Sequence, residues 1–586
     1  MNKRTTCLLV IAMSTMLSTC TVADEDNWVE RSDRHSEVLL EVMAQFNPEG
    51  AGFLGIEGLD EEILQLPTDR DARRIEAIES AITELQRRFE NESDPRVRLD
   101  LEILIDGAEF NIKQIRLNRE HLLPTFNLSR MVFQGARSLL DEQSSPEQRA
   151  VVGIRLRRYA GLEEGFAPLA DQAEALIRSR LAIPELVGPY LGELEREIAT
   201  TDRYIEGIRE LLATYEIPGC DETVDVLEVQ LNAYNDFLSA EVLPRARKDF
   251  RMPSEIYAQL LEGMGVDMPA SELSSRAQVA FREIQNEMQV IAALIAREQG
   301  LDSADYRDVI RHLKREQLIG EEILTTYTTR IAELERIIEE RSVVTLPRRD
   351  MRIRLASEAE SAAIPSPFML PPRLIGNTGE VGEFVLPFRP ADDGADASTR
   401  VNDYTFEAAS WTLAVHEGRP GHELQFSAMI ENGVSLARSL FAFNSVNVEG
   451  WALYCEAEMK PTFPLEGQLI SLQQRLLRAA RAFLDPGMQS GAISREEALR
   501  LLEEEVVLSR QLAEQDIDRY TFGDPAQATS YFCGYLRLME LRAEVERKMG
   551  EKFDRKAFHD FVLSQGLLPP RLMRKAVMEG LVTPAE

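Results

Sequence analysis

The chain has 586 residues, 44% of them hydrophobic, enough to bury one large core or two coupled lobes. Its 99 acidic and 66 basic residues give a formal charge of −33, with both signs mixed along most of the chain. That balance repels nucleic acid and anionic lipid, and so argues against a polyanionic partner.

The first segment reads as a secretory signal. Lys3 and Arg4 precede an apolar run from Cys7 to Leu17, which is too short to span a bilayer stably. Two endings compete. Thr21-Val22-Ala23 fits ordinary cleavage after residue 23, whereas Leu17-Ser18-Thr19-Cys20 resembles a bacterial lipobox that would leave Cys20 lipidated. Either ending implies export to the periplasm, free or membrane-anchored. Cys220, Cys455 and Cys533 are too few for a disulfide scaffold, although a Cys455–Cys533 bridge is compatible with an oxidising compartment.

Residues 24–345 are expected to form a helical N-terminal lobe. Apolar residues recur three and four apart over 71–91, 95–118, 146–180 and 189–215, separated by Pro, Asx and Ser residues. Long helices are expected over 270–299 and 319–341, as rods framing a cleft. The texture changes between 347 and 398, where prolines and Gly376, Gly379 and Gly382 bracket short strand-like pieces such as 383–387. This segment is either a surface loop or a small β-structured rim able to pair with an extended substrate. It opens a second lobe, 346–586, which is helical again after residue 398. The expected fold is mainly α, with two lobes forming one overall domain.

The chemistry concentrates in Trp411–Gln425, which contains His416-Glu417-Gly418-Arg419-Pro420-Gly421-His422. Two imidazoles with an adjacent carboxylate are the parts of a zinc hydrolase: the rings hold metal and Glu417 takes a proton from the attacking water. The usual spacing is four residues, which places both histidines on one helix face. Here it is six, a rotation of about 600° that points His422 away from His416 on a regular helix. Pro420 lacks the N–H that would continue the helix, and Gly421 has backbone freedom other residues lack. The pair predicts a helix broken before His422, which returns that ring to the metal. Glu449, 27 residues later in Asn447-Val448-Glu449-Gly450-Trp451, supplies a third ligand and leaves a fourth position for water. Gly450 allows close helix approach, and Glu456 reads equally as a support for the ligands or as solvent-facing. His35, His121 and His312 have no companions and read as structural or exposed, and Phe426, Phe441 and Phe443 read as core.

These segments resemble the bacterial family called domain of unknown function 885, in which His-Glu-x-x-Pro-Gly-His-x-x-Gln and Glu-Gly-Trp-x-x-Tyr recur. His416 to Gln425 and Glu449 to Tyr454 match both, and the likeness continues through Tyr531-Phe532-Cys533-Gly534 and Phe558-His559-Asp560. It covers about 365 to the C-terminus. This chain has Glu423 where a second consecutive histidine is common. The family looks like a distant relative of thermolysin-type zinc peptidases, particularly helical carboxypeptidases and dipeptidases with a deep cleft. The resemblance implies an α-rich fold, one zinc ion and hydrolysis of short peptides. It places Tyr531 and His559 where helical relatives supply oxyanion donors, although a packed aromatic and a structural hydrogen bond are the plain alternatives. Arg537 could bind a substrate carboxylate or make a surface ion pair, and Gln425 could orient a ligand or touch substrate. Two rival readings use the same sequence: a zinc amidohydrolase acting on non-peptide or cell-wall amides, and a non-catalytic exported helical binding lipoprotein.

Overall fold

The computed structural model describes residues 27–356, 360–361, 366–387 and 401–583. The expected leader, with Cys7 and Cys20, lies outside these residues, as does part of the 347–398 segment. The fold is mainly α, with three short strands among the described residues.

The chain begins with α1 (Trp28–Phe46), started by the Asn27 side chain accepting from the Val29 amide. Helices α2 (Arg70–Asn91) and α3 (Pro95–His121) follow; Pro95 sits in the first turn of α3, where its missing N–H costs nothing. The three pack together on Leu39, Ile78, Leu85, Leu101 and Leu104.

Two expected helices are divided. Over 146–180 the chain forms Pro146–Ala150, Val152–Tyr159 and Leu169–Leu181, because Gly161 turns left-handed (φ +69°) against Pro168. Over 189–215 it forms Leu191–Ala199 and Thr201–Thr214. At the junction, Thr200 Oγ1 donates to the Arg196 carbonyl, a local bond that competes with the helical ladder. These pieces build a core of their own from residues between Ile63 and Val242.

The larger core starts with α4 (Ala270–Gln299) and α5 (Glu321–Glu340). Strands β1 (Arg352–Leu355), β2 (Phe368–Leu370) and β3 (Glu383–Leu386) form a sheet in the order β1-β3-β2. β1 runs parallel to β3, pairing Arg352 with Glu383; β2 runs antiparallel, pairing Phe368 with Val385. After the sheet come, among others, α6 (Glu407–Leu413), α7 (His422–Glu431), α8 (Ser445–Met459), α9 (Leu465–Gln489), α10 (Arg510–Asp518), α11 (Gln527–Met549) and α12 (Arg555–Ser564). β2 packs against α7 and the turn before it, α4 packs along α9, and α8 along α11.

Two smaller expectations are corrected. Phe426 is buried and Phe441 partly so, but Phe443 is 57% exposed and belongs to no core. Cys455 and Cys533 are buried free thiols. Cys455 Sγ donates to the Pro420 carbonyl at 3.5 Å, while Cys533 lies beside Asp267, so the two point to different neighbours.

Candidate metal centre

The helix that carries His416 breaks before His422, as the Pro-Gly pair requires. After α6 the backbone widens into a π-turn, Ala414–Gly418, passes through a cis Arg419–Pro420 bond, and restarts as α7 at His422. Gly421 is fixed here by close approach: its amide donates to the Val415 carbonyl at 2.9 Å. A Cβ on it would lie 2.1 Å from the His416 oxygen. The Pro420 carbonyl, freed by the break, accepts from Trp451 Nε1 on α8 at 2.9 Å. Arg419 holds the outside of the bend, donating to Glu423 at 2.6 Å and to the Arg349 carbonyl at 2.8 Å. Glu423, wholly buried, is thus the counter-charge of the bend.

The break brings the His416 and His422 rings to 4.8 Å between centroids. Glu449 arrives on α8, whose start is fixed by Asn444 Oδ1 accepting from the Asn447 amide. Its Oε2 lies 3.5 Å from His416 Nε2 and 3.4 Å from His422 Nε2, and His416, His422 and Glu449 form a group that could hold a metal ion. The fit is close. Zinc bonds of about 2.0–2.2 Å in tetrahedral array place ligand atoms roughly 3.4 Å apart. Glu449 Oε2 is also buried without a hydrogen-bond partner, an arrangement that costs free energy unless a cation completes it.

The supporting groups point the same way. His416 Nδ1 lies 2.6 Å from Glu456 Oε1, and Thr412 Oγ1 donates to Glu456 Oε2 at 2.6 Å. This carboxylate fixes the ring with Nε2 facing Glu449. Glu456 is therefore buried behind His416, not solvent-facing. Burial alone would lower the His416 pKa, but Glu449 and Glu456 outweigh it and push it up to about 9. The same two histidines hold Glu449 well below the usual carboxylate range against its own burial. Burial raises the pKa of Glu417, while His416 and His422 pull it back, the setting of a carboxylate able to accept a proton.

Tyr531, on α11, stacks on the His416 ring at 6.3 Å and 20°, and its hydroxyl accepts from Arg519 Nη2 at 2.9 Å. Gln527, one turn earlier, donates to Glu449 Oε1 at 3.3 Å. Gln425 donates to Asn447 Oδ1 at 2.9 Å, and its own Oε1 is buried without a partner. His559 stands apart from this group. Its Nδ1 lies 2.7 Å from the Val343 carbonyl and its Nε2 2.7 Å from the Tyr454 hydroxyl, so both ring nitrogens are engaged. Arg537 is ion-paired with Asp267 and Glu540 along a cavity of about 410 Å³ lined partly by α8 and α11. That is the surface-pair alternative. Arg478, Arg481 and Arg519, all around the Tyr531 ring, are absent from the sequence reading because α9 and the segment after α10 bring them in without a local motif.

The profile of the bacterial proteins of unknown function called DUF885 matches residues 48–577. The chain belongs to this family. The likeness therefore extends through the motif-poor first half as well. Two solved structures share the fold. A candidate lipoprotein of unknown function from Shewanella oneidensis is 21% identical, covering 94% of this chain and 100% of its own, at a TM-score of 0.70. A candidate lipoprotein from Colwellia psychrerythraea is 17% identical, covering 93% and 98%, at 0.74. Pz peptidase A, 13% identical, superposes at a TM-score of only 0.24, too low to carry an argument. No curated protein matches the chain. No helix among the described residues is long and apolar enough to cross a membrane.

Proposed function

We propose that the protein is a zinc-dependent peptide hydrolase acting on short peptides. The observation that carries the reading is the unpartnered Glu449 Oε2, buried 3.4 and 3.5 Å from the Nε2 atoms of two histidines. A zinc ion held by His416, His422 and Glu449 would supply Lewis acidity and lower the pKa of water at an open fourth position. Glu417 takes the proton of the attacking water and returns it to the leaving amine, a role suited to a carboxylate whose pKa is raised. Tyr531, stacked on His416 and accepting a hydrogen bond from Arg519, is the oxyanion donor in this reading, since both His559 nitrogens are engaged. Gln425, one turn past His422 and with its Oε1 free, is the substrate-contacting residue in this reading. The helical first half limits access to short peptides. The lipoprotein descriptions of the two structural relatives and the Cys7–Cys20 sequence support export, with the protein facing the periplasm, anchored through Cys20 or free.

The test is metal analysis combined with peptide hydrolysis, with and without chelator. The protein should bind one equivalent of zinc and lose hydrolysis on chelation. Glu417→Gln should keep the metal while turnover falls by about 10²–10⁴-fold. Undiminished hydrolysis in Glu417→Gln, or failure to hold zinc after reconstitution, overturns the reading.

A further inference from the structure

Three guanidinium groups converge on the Tyr531 ring, with Cζ of Arg478, Arg481 and Arg519 at 5.7, 5.0 and 5.5 Å from its centroid. Only one of them has a carboxylate at hydrogen-bond distance. Arg481 is paired with Asp516 at 2.7 Å. Arg519 donates to the Tyr531 hydroxyl and to Gln527 Oε1, and no carboxylate among the described residues forms an ion pair with it. Arg478, only 6% exposed, bonds to the Gln474 carbonyl and side chain, and its Nε is buried without a partner. Its nearest carboxylate oxygen, Glu456 Oε1 at 3.9 Å, already faces His416 Nδ1 at 2.6 Å.

Burying a guanidinium without a counter-ion costs free energy, and in a chain with 99 acidic residues the shortage is not one of supply. This positive charge, which no carboxylate meets at hydrogen-bond distance on Arg478 or Arg519, also sits beside the candidate metal group. Tyr531 stacks on His416, and Gln527 links Arg519 to Glu449. An arginine fork matches a carboxylate through two parallel hydrogen bonds. In a peptide, the terminal carboxylate lies one residue, about 3.8 Å of Cα spacing, beyond the last peptide bond.

We infer that Arg478 and Arg519, flanking Tyr531, form the subsite for the C-terminal carboxylate of a short peptide. This rests on the hydrolase reading and adds to it which end of the substrate is recognised. It replaces Arg537 in that role, because Arg537 is neutralised by two carboxylates of its own.

The test is calorimetric binding of a tripeptide and its C-terminal amide to zinc-loaded Glu417→Gln protein, alongside hydrolysis of both by the unaltered enzyme. The free acid should bind about 10- to 100-fold more tightly than the amide. Arg519→Gln should abolish that preference, read as the ratio of acid to amide affinity within the one protein. If Arg519→Gln does not fold, the acid–amide comparison in the Glu417→Gln background decides alone. A preference for the acid without hydrolysis of either peptide would sustain the subsite and overturn the hydrolase reading. Hydrolysis of acid and amide alike, equal binding of the two, or a preference that survives Arg519→Gln would overturn the subsite and leave the hydrolase reading standing.

Discussion

His559 shows how a candidate catalytic residue becomes a structural one. Tyr454 Oη accepts from Arg542 at 2.8 Å and so is free to donate to His559 Nε2, while the other ring nitrogen faces the Val343 carbonyl. Both bonds suit the neutral ring. Burial, the largest cause, pushes its pKa down to about 4 from an ordinary 6.5. Between these values the unfolded chain binds the proton and the folded one does not. Stability from this residue is therefore complete above pH 6.5 and is lost as pH falls towards 4, by on the order of 3 kcal/mol. His559→Gln should be less stable than the parent at pH 7 but lose less on going to pH 4.5, measured by urea midpoints at both values. Parallel losses in the two proteins would show that the ring is not the titrating group. The candidate metal group and Glu417 were legible in the sequence because they lie within short motifs. Glu456 was half legible: it stands seven residues after Glu449, on the same helix face, but nothing local says that this face is buried. The arginines around Tyr531 were not legible, since their proximity is created by packing α9 and the segment after α10 against α11.

Between elements, the geometry of the candidate metal group depends on how closely α8 and α11 approach. They touch through backbone: a Cβ on Gly450 would meet Gly534 Cα at 2.6 Å, and one on Gly534 would meet the Val446 carbonyl oxygen at 1.9 Å. Backbone atoms on packed helices cannot yield as a flexible side chain can. Glu449 precedes Gly450 on one helix, and Gln527 and Tyr531 lie before Gly534 on the other. Gly534→Ala should therefore destabilise the protein by about 1–3 kcal/mol and also weaken zinc binding, read by thermal denaturation and metal titration. Gly107→Ala serves as the contrast: this glycine lies exposed within α3, with the nearest atom 3.8 Å from its added Cβ. There the substitution should stabilise, by up to about 1 kcal/mol, through helix propensity. A Gly534→Ala protein with unchanged stability and zinc affinity would show that the helices separate freely. At this scale the sequence is most readable where residue chemistry forces a break, as at Pro420-Gly421. It is least readable where a local turn or a single side-chain bond ends a helix, as at Gly161 and Thr200, whose flanks keep helical periodicity.

Across the whole molecule, the N-terminal helices hold the segment that delivers Glu449. Asp100 on α3 is fully buried and accepts from Ser32 of α1 and Ser435, each at 2.6 Å, and from Arg438 Nε at 2.7 Å. Ser435 and Arg438 lie in the connection between α7, which carries His422, and α8, which carries Glu449. The same connection is gripped from the C-terminal side: the Leu567 amide donates to the Arg438 carbonyl at 2.9 Å, and Arg438 Nη1 to Gln565 Oε1 at 2.9 Å. Asp100 is thus the counter-charge of a latch, and the first half of the chain does more than wall off the site. Removing one member of a buried ion pair leaves the other charge uncompensated, so Asp100→Ala should cost about 3–5 kcal/mol. Adding Arg438→Met should recover part of that loss, because the stranded guanidinium goes with it. The latch makes a second demand that a merely stabilising contact does not. At temperatures where Asp100→Ala is still folded, its zinc affinity should fall, since the α7–α8 connection no longer fixes Glu449 against the two histidines. Denaturant unfolding of the single and double variants, with zinc titration of each, separates the two effects. Lost stability with unaltered zinc affinity would confine the N-terminal helices to holding the fold, and would leave the placement of Glu449 to α8 and α11 alone.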